Sequence, residues 1–277
     1  MSRHPKNLST NPSGEGARFA LWLAWIVAGV GWSALVLRLL WPKLTTGSAN
    51  WPEALLLIAL SVVLLGALLR QLPLQNIALV TVVIAFVGGV AHGVGAATGI
   101  PFGPLTFAGR AGAELFGKLP LLLPLLWIVM ILSSRGVARL VLRPWRKLRT
   151  YGYWLIGFTV LLTTLLVGAM EPFASRVQHY WLWGQTRLPV AWHGAPVTSF
   201  LGWALVTLLI MAFITPALIN KKTSRQSPPD YHPLAVWLLL DLAFAIGGCT
   251  KQLWSAVIYC GVVGVVAGMF AIRGGKW

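Results

Sequence analysis

Acidic side chains are scarce in this sequence. Six Asp and Glu occur among 277 residues, and charged residues of both signs make up only 10%. A soluble domain carries about 25% charged residues, because its whole surface must be wetted. This composition excludes a water-covered globule. Cysteine is almost as rare. Cys249 and Cys260 form no CxxC and lie in apolar runs, so they read as packing residues, with no disulfide framework and no zinc site. The run GVGAATG misses the GxGxxG spacing and follows no strand, which leaves a dinucleotide site unsupported. The basic excess, a formal net charge of +16, comes without any RNA- or DNA-binding motif. Its Lys and Arg sit at the ends of apolar runs, where they stay cytoplasmic and touch anionic headgroups.

Long apolar runs are what the chain has instead. Hydrophobic residues make up 57% of it, and the mean hydropathy is +0.76. Spans are expected at Arg18–Trp41, Glu53–Leu69, Asn76–Gly95, Leu119–Leu132, Tyr151–Met170, Ser199–Ile219, Pro233–Cys249 and Leu253–Ile272, each near the length of a bilayer crossing. The first is too long for a signal-peptide core and rich in Trp, so it reads as an anchor. The fold class is therefore all-α, a polytopic transmembrane helical bundle of about eight spans, with seven as the alternative if the last two runs form one partial hairpin. A basic, disordered cytoplasmic tail is expected over residues 1–17, a single transmembrane domain over 18–272 and a short cytoplasmic tail over 273–277. With the N-terminus inside, 15 of the 22 Lys and Arg fall on that side and 7 opposite, so the positive-inside rule selects N-in, C-in. The expected location is a bacterial or archaeal cell (inner) membrane.

Three connecting stretches stand out. Residues 96–118, rich in Gly and Pro, read as a re-entrant or interfacial segment. In Arg135–Arg149 the spacing of Arg135, Arg139 and Arg143 puts three guanidiniums on one stripe, the pattern of an amphipathic helix lying along the headgroups. Glu171–Thr198 is the most aromatic connection. Eight spans place the first and third of these on the same outer side. The pairs Gly89/Gly93, Gly95/Gly99 and Gly264/Gly268 suit close helix packing.

An ionisable group at membrane depth costs at least about 2.5 kcal/mol, so such groups are natural suspects. His92 and Asp241 lie inside spans. The ordinary accounts are a neutral imidazole bonded to a carbonyl, and an inter-helix polar bond. Glu114 is readily explained as an interfacial charge paired with Lys118 at i+4. Glu171 precedes Pro172 at the end of the fifth span and opens the aromatic stretch, which holds Tyr180, Trp181, Trp183, Trp192 and Trp203 among His179, His193, Arg176 and Arg187. An interfacial aromatic belt explains most Trp, but a belt does not call for Glu, His and Arg interleaved with them. Aromatic faces stabilise carbocations as they do other cations, and a desolvated carboxylic acid beside them can deliver a proton to an alkene.

In order along the chain stand His92 followed by xxGxxTGxPFG, the run LPLLLPLLW (119–127), Glu171-Pro172, Trp181-Leu182-Trp183, Gly194-Ala195-Pro196 and FLGW (200–203). This order resembles the carotenoid-biosynthesis membrane proteins that include carotenoid 1,2-hydratases of the bisanhydrobacterioruberin hydratase type, over roughly residues 88–216. Where many members carry Glu, this chain has His92, and PLTF with Thr106 follows PFG. The resemblance implies hydration of the terminal C=C of an acyclic (ψ) carotenoid end group, a lyase-type reaction without a cofactor. Proton addition would give a tertiary cation, which water captures as a tertiary alcohol. On this reading Glu171 is the general acid, His92 or Asp241 orients water, and Trp181, Trp183, Trp192, Trp203 and Phe102 line the cation. No metal is expected. The expected partners are membrane lipid, a carotenoid or other isoprenoid substrate, and neighbouring carotenoid enzymes, without nucleic acid. Two rivals are a non-catalytic lipid or carotenoid carrier or scaffold, and a small-solute transporter; Gly- and Pro-broken helices favour the last, but so few acids leave little to couple ions to.

Overall fold

The structure, a computed structural model, describes residues 12–42, 50–108, 112–115, 119–185, 190–218 and 228–277. Among the described residues eight helices carry the fold: α1 (Pro12–Leu40), α2 (Trp51–Leu69), α3 (Leu74–Thr98), α4 (Leu123–Val141), α5 (Tyr151–Pro172), α6 (Val197–Ile214), α7 (His232–Thr250) and α8 (Trp254–Gly275). All eight are long and apolar enough to cross a membrane. The bundle of eight spans is therefore the architecture, and the last two are separate helices joined by a turn at Gln252, whose φ is 57°. Most of the expected tail, residues 1–11, lies outside the described residues, and α1 begins at Pro12, ahead of the apolar run. At the other end α8 continues to Gly275, three residues past the expected domain boundary.

α4 is the axis of the bundle. It packs against α2, α3, α5, α7 and α8, while α1 pairs with α2 and α7, and α6 with α3 and α5. Ser133 and Ser134 are fully buried within it, and Ser133 is returned to the helix by donating to the Val129 carbonyl. A small polar side chain that bonds its own backbone can sit at such a depth cheaply.

α4 also corrects one expectation. The segment 135–149 is not a helix lying along the headgroups. Residues 119–122 are spent on a short strand and a turn, so the span starts at Leu123 and must run to Val141 to cross. Arg135 and Arg139 thereby belong to the span. Arg135 is buried and donates to the Leu218 carbonyl, in the short turn Pro216–Leu218 that follows α6, while Arg139 donates to Gln71 Oε1. Only Arg143–Trp145 follows as a separate short turn of 3-10 helix. A guanidinium near a helix end can reach back to polar groups along its apolar stem, which is what Arg135 does.

Short strands knit the connections at the opposite end of the bundle. β1 (Leu105–Phe107) pairs antiparallel with β4 (Trp181–Trp183), aligning Leu105 with Trp183 and Phe107 with Trp181. β2 (Glu114–Leu115) pairs with β3 (Leu119–Pro120), and β5 (Ala191–Trp192) with β6 (Ala195–Pro196). The segment after α3 is thus not a span, and it is tied to the aromatic connection by a β-ladder.

Candidate functional site

The aromatic connection begins where α5 ends. Glu171 closes α5 with no exposed surface. The chain then makes a π-helical turn at Phe173–Val177 and returns as β4. Side chains two apart on a strand point to the same face, so Trp181 and Trp183 present their indoles together. Both indole N–H groups donate to Glu171 Oε2, each at 3.1 Å, and Ser199 Oγ of α6 donates to Oε1 at 3.1 Å. One carboxyl group therefore fastens α5, β4 and α6 together.

Four rings form a second cluster, one turn further along α6. His92 of α3 accepts the indole N–H of Trp127 at Nδ1, 3.0 Å away. Trp127 stacks on Trp203 with ring centroids 3.9 Å apart, and Phe102 lies 4.1 Å from the His92 ring. Phe102 is fully buried because the chain turns back after α3 through Gly99, at φ 77°, and pushes the PFG segment between α3 and α6. That approach needs bare backbone on α6. A Cβ at Gly202 would lie 2.8 Å from the Phe102 ring and 2.9 Å from the Pro101 carbonyl. Thr198 Oγ1 donates to the Phe102 carbonyl and completes the contact.

The other expected site residues lie elsewhere. Trp192 donates to the Gly168 carbonyl and packs on Tyr259 of α8. Asp241 is buried on α7 and faces Gly264 of α8. Among the described residues no hydrogen bond joins Asp241 or His92 to Glu171. Glu114 is exposed on β2, and its expected partner Lys118, like Arg187, falls outside the described residues. The groups thus divide in three: Glu171 with Trp181 and Trp183; His92 with Phe102, Trp127 and Trp203; and, against α8, Asp241 at Gly264 and Trp192 at Tyr259.

Next to the first group lies a cleft that opens to the exterior. Its walls come from α1, α2, the start of α4, the end of α5 and α7. They are apolar and aromatic, with Leu56, Leu123, Phe173, Phe244 and the rings of Tyr180 and Trp181 among them. Glu171 is not in this wall; Trp181, which it holds, is. The carboxyl group that lines the cleft belongs to Glu53, in the first turn of α2. Glu53 Oε1 accepts from the Tyr180 hydroxyl at 2.7 Å and from Gln178 Nε2 at 3.3 Å, and Oε2 pairs with Arg38 of α1 at 3.3 Å. Burial, and then the Glu53 carboxylate beside it, push the Tyr180 hydroxyl well above the usual phenol range. On the α8 side, where its Nε2 lies 2.9 Å from Ser255 Oγ, burial and the neighbouring Arg176 lower the His193 imidazole.

Glu53 does not stand out in the sequence, since an acid in the first turn of an apolar helix already has an explanation in the helix dipole. One signal was available. Arg38 and Glu53 flank the turn between two adjacent spans, so a hairpin of those helices brings the charges together. Among the described residues, no three His, Cys, Asp or Glu side chains are grouped as metal ligands would be.

The fold and this site define a class: a polytopic helical membrane protein with an apolar, aromatic-walled cleft at the end of its bundle where the connections pair. More narrowly, the chain belongs to the carotenoid biosynthesis protein family, whose model matches residues 52–267. The match reaches beyond residues 88–216 on both sides and takes in α2 with Glu53, α7 and most of α8. No curated protein and no solved structure matches the chain. Membership assigns the protein a role in carotenoid biosynthesis, at the membrane and with isoprenoid substrates.

Proposed function

We propose that this protein adds water across the terminal C=C of an acyclic (ψ) carotenoid end group seated in the cleft, giving a tertiary alcohol. The observation that carries the reading is an apolar cleft with aromatic walls and one acidic residue, Glu53, among its lining. Protonation of the trisubstituted alkene places positive charge on the carbon bearing two methyl groups. The faces of Phe173, Tyr180, Trp181 and Phe244 offer that charge electrostatic stabilisation without a nucleophile to trap it. Water then supplies the hydroxyl group. The addition is redox-neutral, so its balance asks for no electron carrier.

Glu171 enters this proposal through Trp181. It holds the Trp181 indole, which lines the cleft, while it is itself absent from the lining. We assign it the task of holding the two indoles in place. As the general acid expected from the sequence, it would have to act from outside the lining. His92 and Asp241 stay outside the cleft wall and are given no part in the chemistry.

The test is expression in a host that makes lycopene, followed by chromatography and mass analysis of the pigments. A product heavier by one water is expected, and it should fall when Ala243, in the cleft wall, is enlarged to Leu. Pigment that copurifies with the protein but is never hydrated would instead support the carrier reading.

A further inference from the structure

We propose that Glu53 is the carboxyl group that meets the substrate, giving its proton to the alkene and taking one back from the water that attacks. This rests on the hydration reading and names the residue that performs it. Two carboxyl groups flank Trp181, and the geometry separates them. Glu171 has no exposed surface and is absent from the cleft wall. Glu53 is in the wall, together with Tyr180 and the ring of Trp181.

The surroundings of Glu53 suit both halves of the reaction. Glu53 pairs with Arg38 as a carboxylate and takes up a proton from bulk water to enter the cycle; from there the proton passes from its carboxyl oxygen to the alkene CH carbon, and the C=C electron pair forms the new C–H bond. The adjacent carbon becomes a tertiary cation. Negative charge develops on the carboxyl oxygens at that moment, and donors already point at them: Tyr180 Oη and Gln178 Nε2 at Oε1, Arg38 at Oε2. Donors fixed before the reaction stabilise developing charge without reorganising. The cation then bonds a water oxygen, and the surplus proton of that water returns to the carboxylate. The group ends as it began, and the sum is alkene plus water giving alcohol.

A purely structural account is also available, since the same contacts clamp the α1–α2 hairpin to the Gln178–Tyr180 connection. The two accounts diverge in one variant. Glu53→Gln keeps the shape and can still accept from Tyr180, but it has no proton to give. The experiment uses the full-length protein in membranes with an acyclic carotenoid. It reads alcohol formed, deuterium incorporated at the CH carbon from heavy water, pigment retained and thermal stability. The expected result is a Glu53→Gln protein that inserts and retains pigment while product falls by about a hundredfold or more, the scale of a lost general acid. Glu171→Gln should stay within about tenfold of wild type, since it loses only positioning. Should Glu53→Gln fail to insert, Glu53→Asp keeps the carboxyl group on a shorter stem. A stable Asp variant is expected to lose at least about tenfold in rate with deuterium still incorporated. A Glu53→Gln or Glu53→Asp protein as active as wild type overturns the assignment to Glu53 and leaves the hydration reading standing. A wild-type protein that binds pigment but forms no alcohol overturns both.

Discussion

Removing the side chain of Glu171 should unfold the end of the bundle, whereas changing it to Gln should not. In Glu171→Ala the two indole N–H groups of Trp181 and Trp183 and the hydroxyl of Ser199 lose their acceptor. A buried donor left unsatisfied costs about 1–3 kcal/mol, so three of them cost about 3–9 kcal/mol before relaxation. That is most of the roughly 5–15 kcal/mol by which a folded protein is stable. In Glu171→Gln the amide oxygen can take the place of Oε2, where both indoles converge. The amide NH₂ then faces Ser199, whose hydroxyl can turn from donor to acceptor. Three charge-assisted bonds become neutral ones, at about 1 kcal/mol each. The assay is thermal unfolding of detergent-solubilised protein followed by Trp fluorescence, with pigment analysis alongside. Glu171→Ala should not accumulate, and Glu171→Gln should fold with a lowered midpoint and product within about tenfold of wild type. A Glu171→Ala protein as stable as wild type would refute the knot. A Glu171→Gln protein of normal stability that has lost all product would return this residue to the role of acid.

The PFG segment supplies a second expectation: Gly202→Ala should destabilise by about 1–3 kcal/mol, because its Cβ would meet the Phe102 ring at 2.8 Å and the Pro101 carbonyl at 2.9 Å, and chemical denaturation will show whether it does. Tyr180 is held well above its unfolded value, by burial first and Glu53 second, so the folded state keeps a proton that the unfolded state loses. Its contribution is full below the usual phenol value of about 10 and declines by up to about 1.4 kcal/mol per pH unit above it; an unfolding series against Tyr180→Phe should show the steeper decline in wild type. For topology, reporter fusions at Asn220 and Lys251 should lie on opposite faces of the membrane, with Asn220 inside, and a shared face would redraw α7.

Most of the architecture could be read from apolar run length, because a bilayer fixes that length and a helix has no other way to satisfy its backbone inside it. The eight helices match the eight runs to within a few residues, apart from α4. There the apolar run LPLLLPLLW begins too early. Its first residues pair with Glu114–Leu115 as strands, so the helix slides toward its own arginines. Hydropathy sees Arg135 as the end of a span. It does not see the Leu218 carbonyl, 83 residues away, that accepts its hydrogen bond.

The site divides along the same line. That Glu171 lies among Trp was legible, since an acid followed ten and twelve positions later by Trp181 and Trp183 is a local pattern, and a strand turns both indoles one way. The cleft was not legible, because five helices make it and no window of sequence contains its walls. Glu53 shows why this matters. Its neighbours on α2 are Pro52 and Ala54, and its position alone suggests a charge at a helix start. Its partners are Arg38, Gln178 and Tyr180, and the last two stand 125 and 127 residues away. With only six acids in the chain, each must be justified by what it touches. By that criterion Glu171 supports a wall and Glu53 lines one. A carboxyl group acts on an alkene only at contact distance, so the residue in the wall has the stronger claim to the proton.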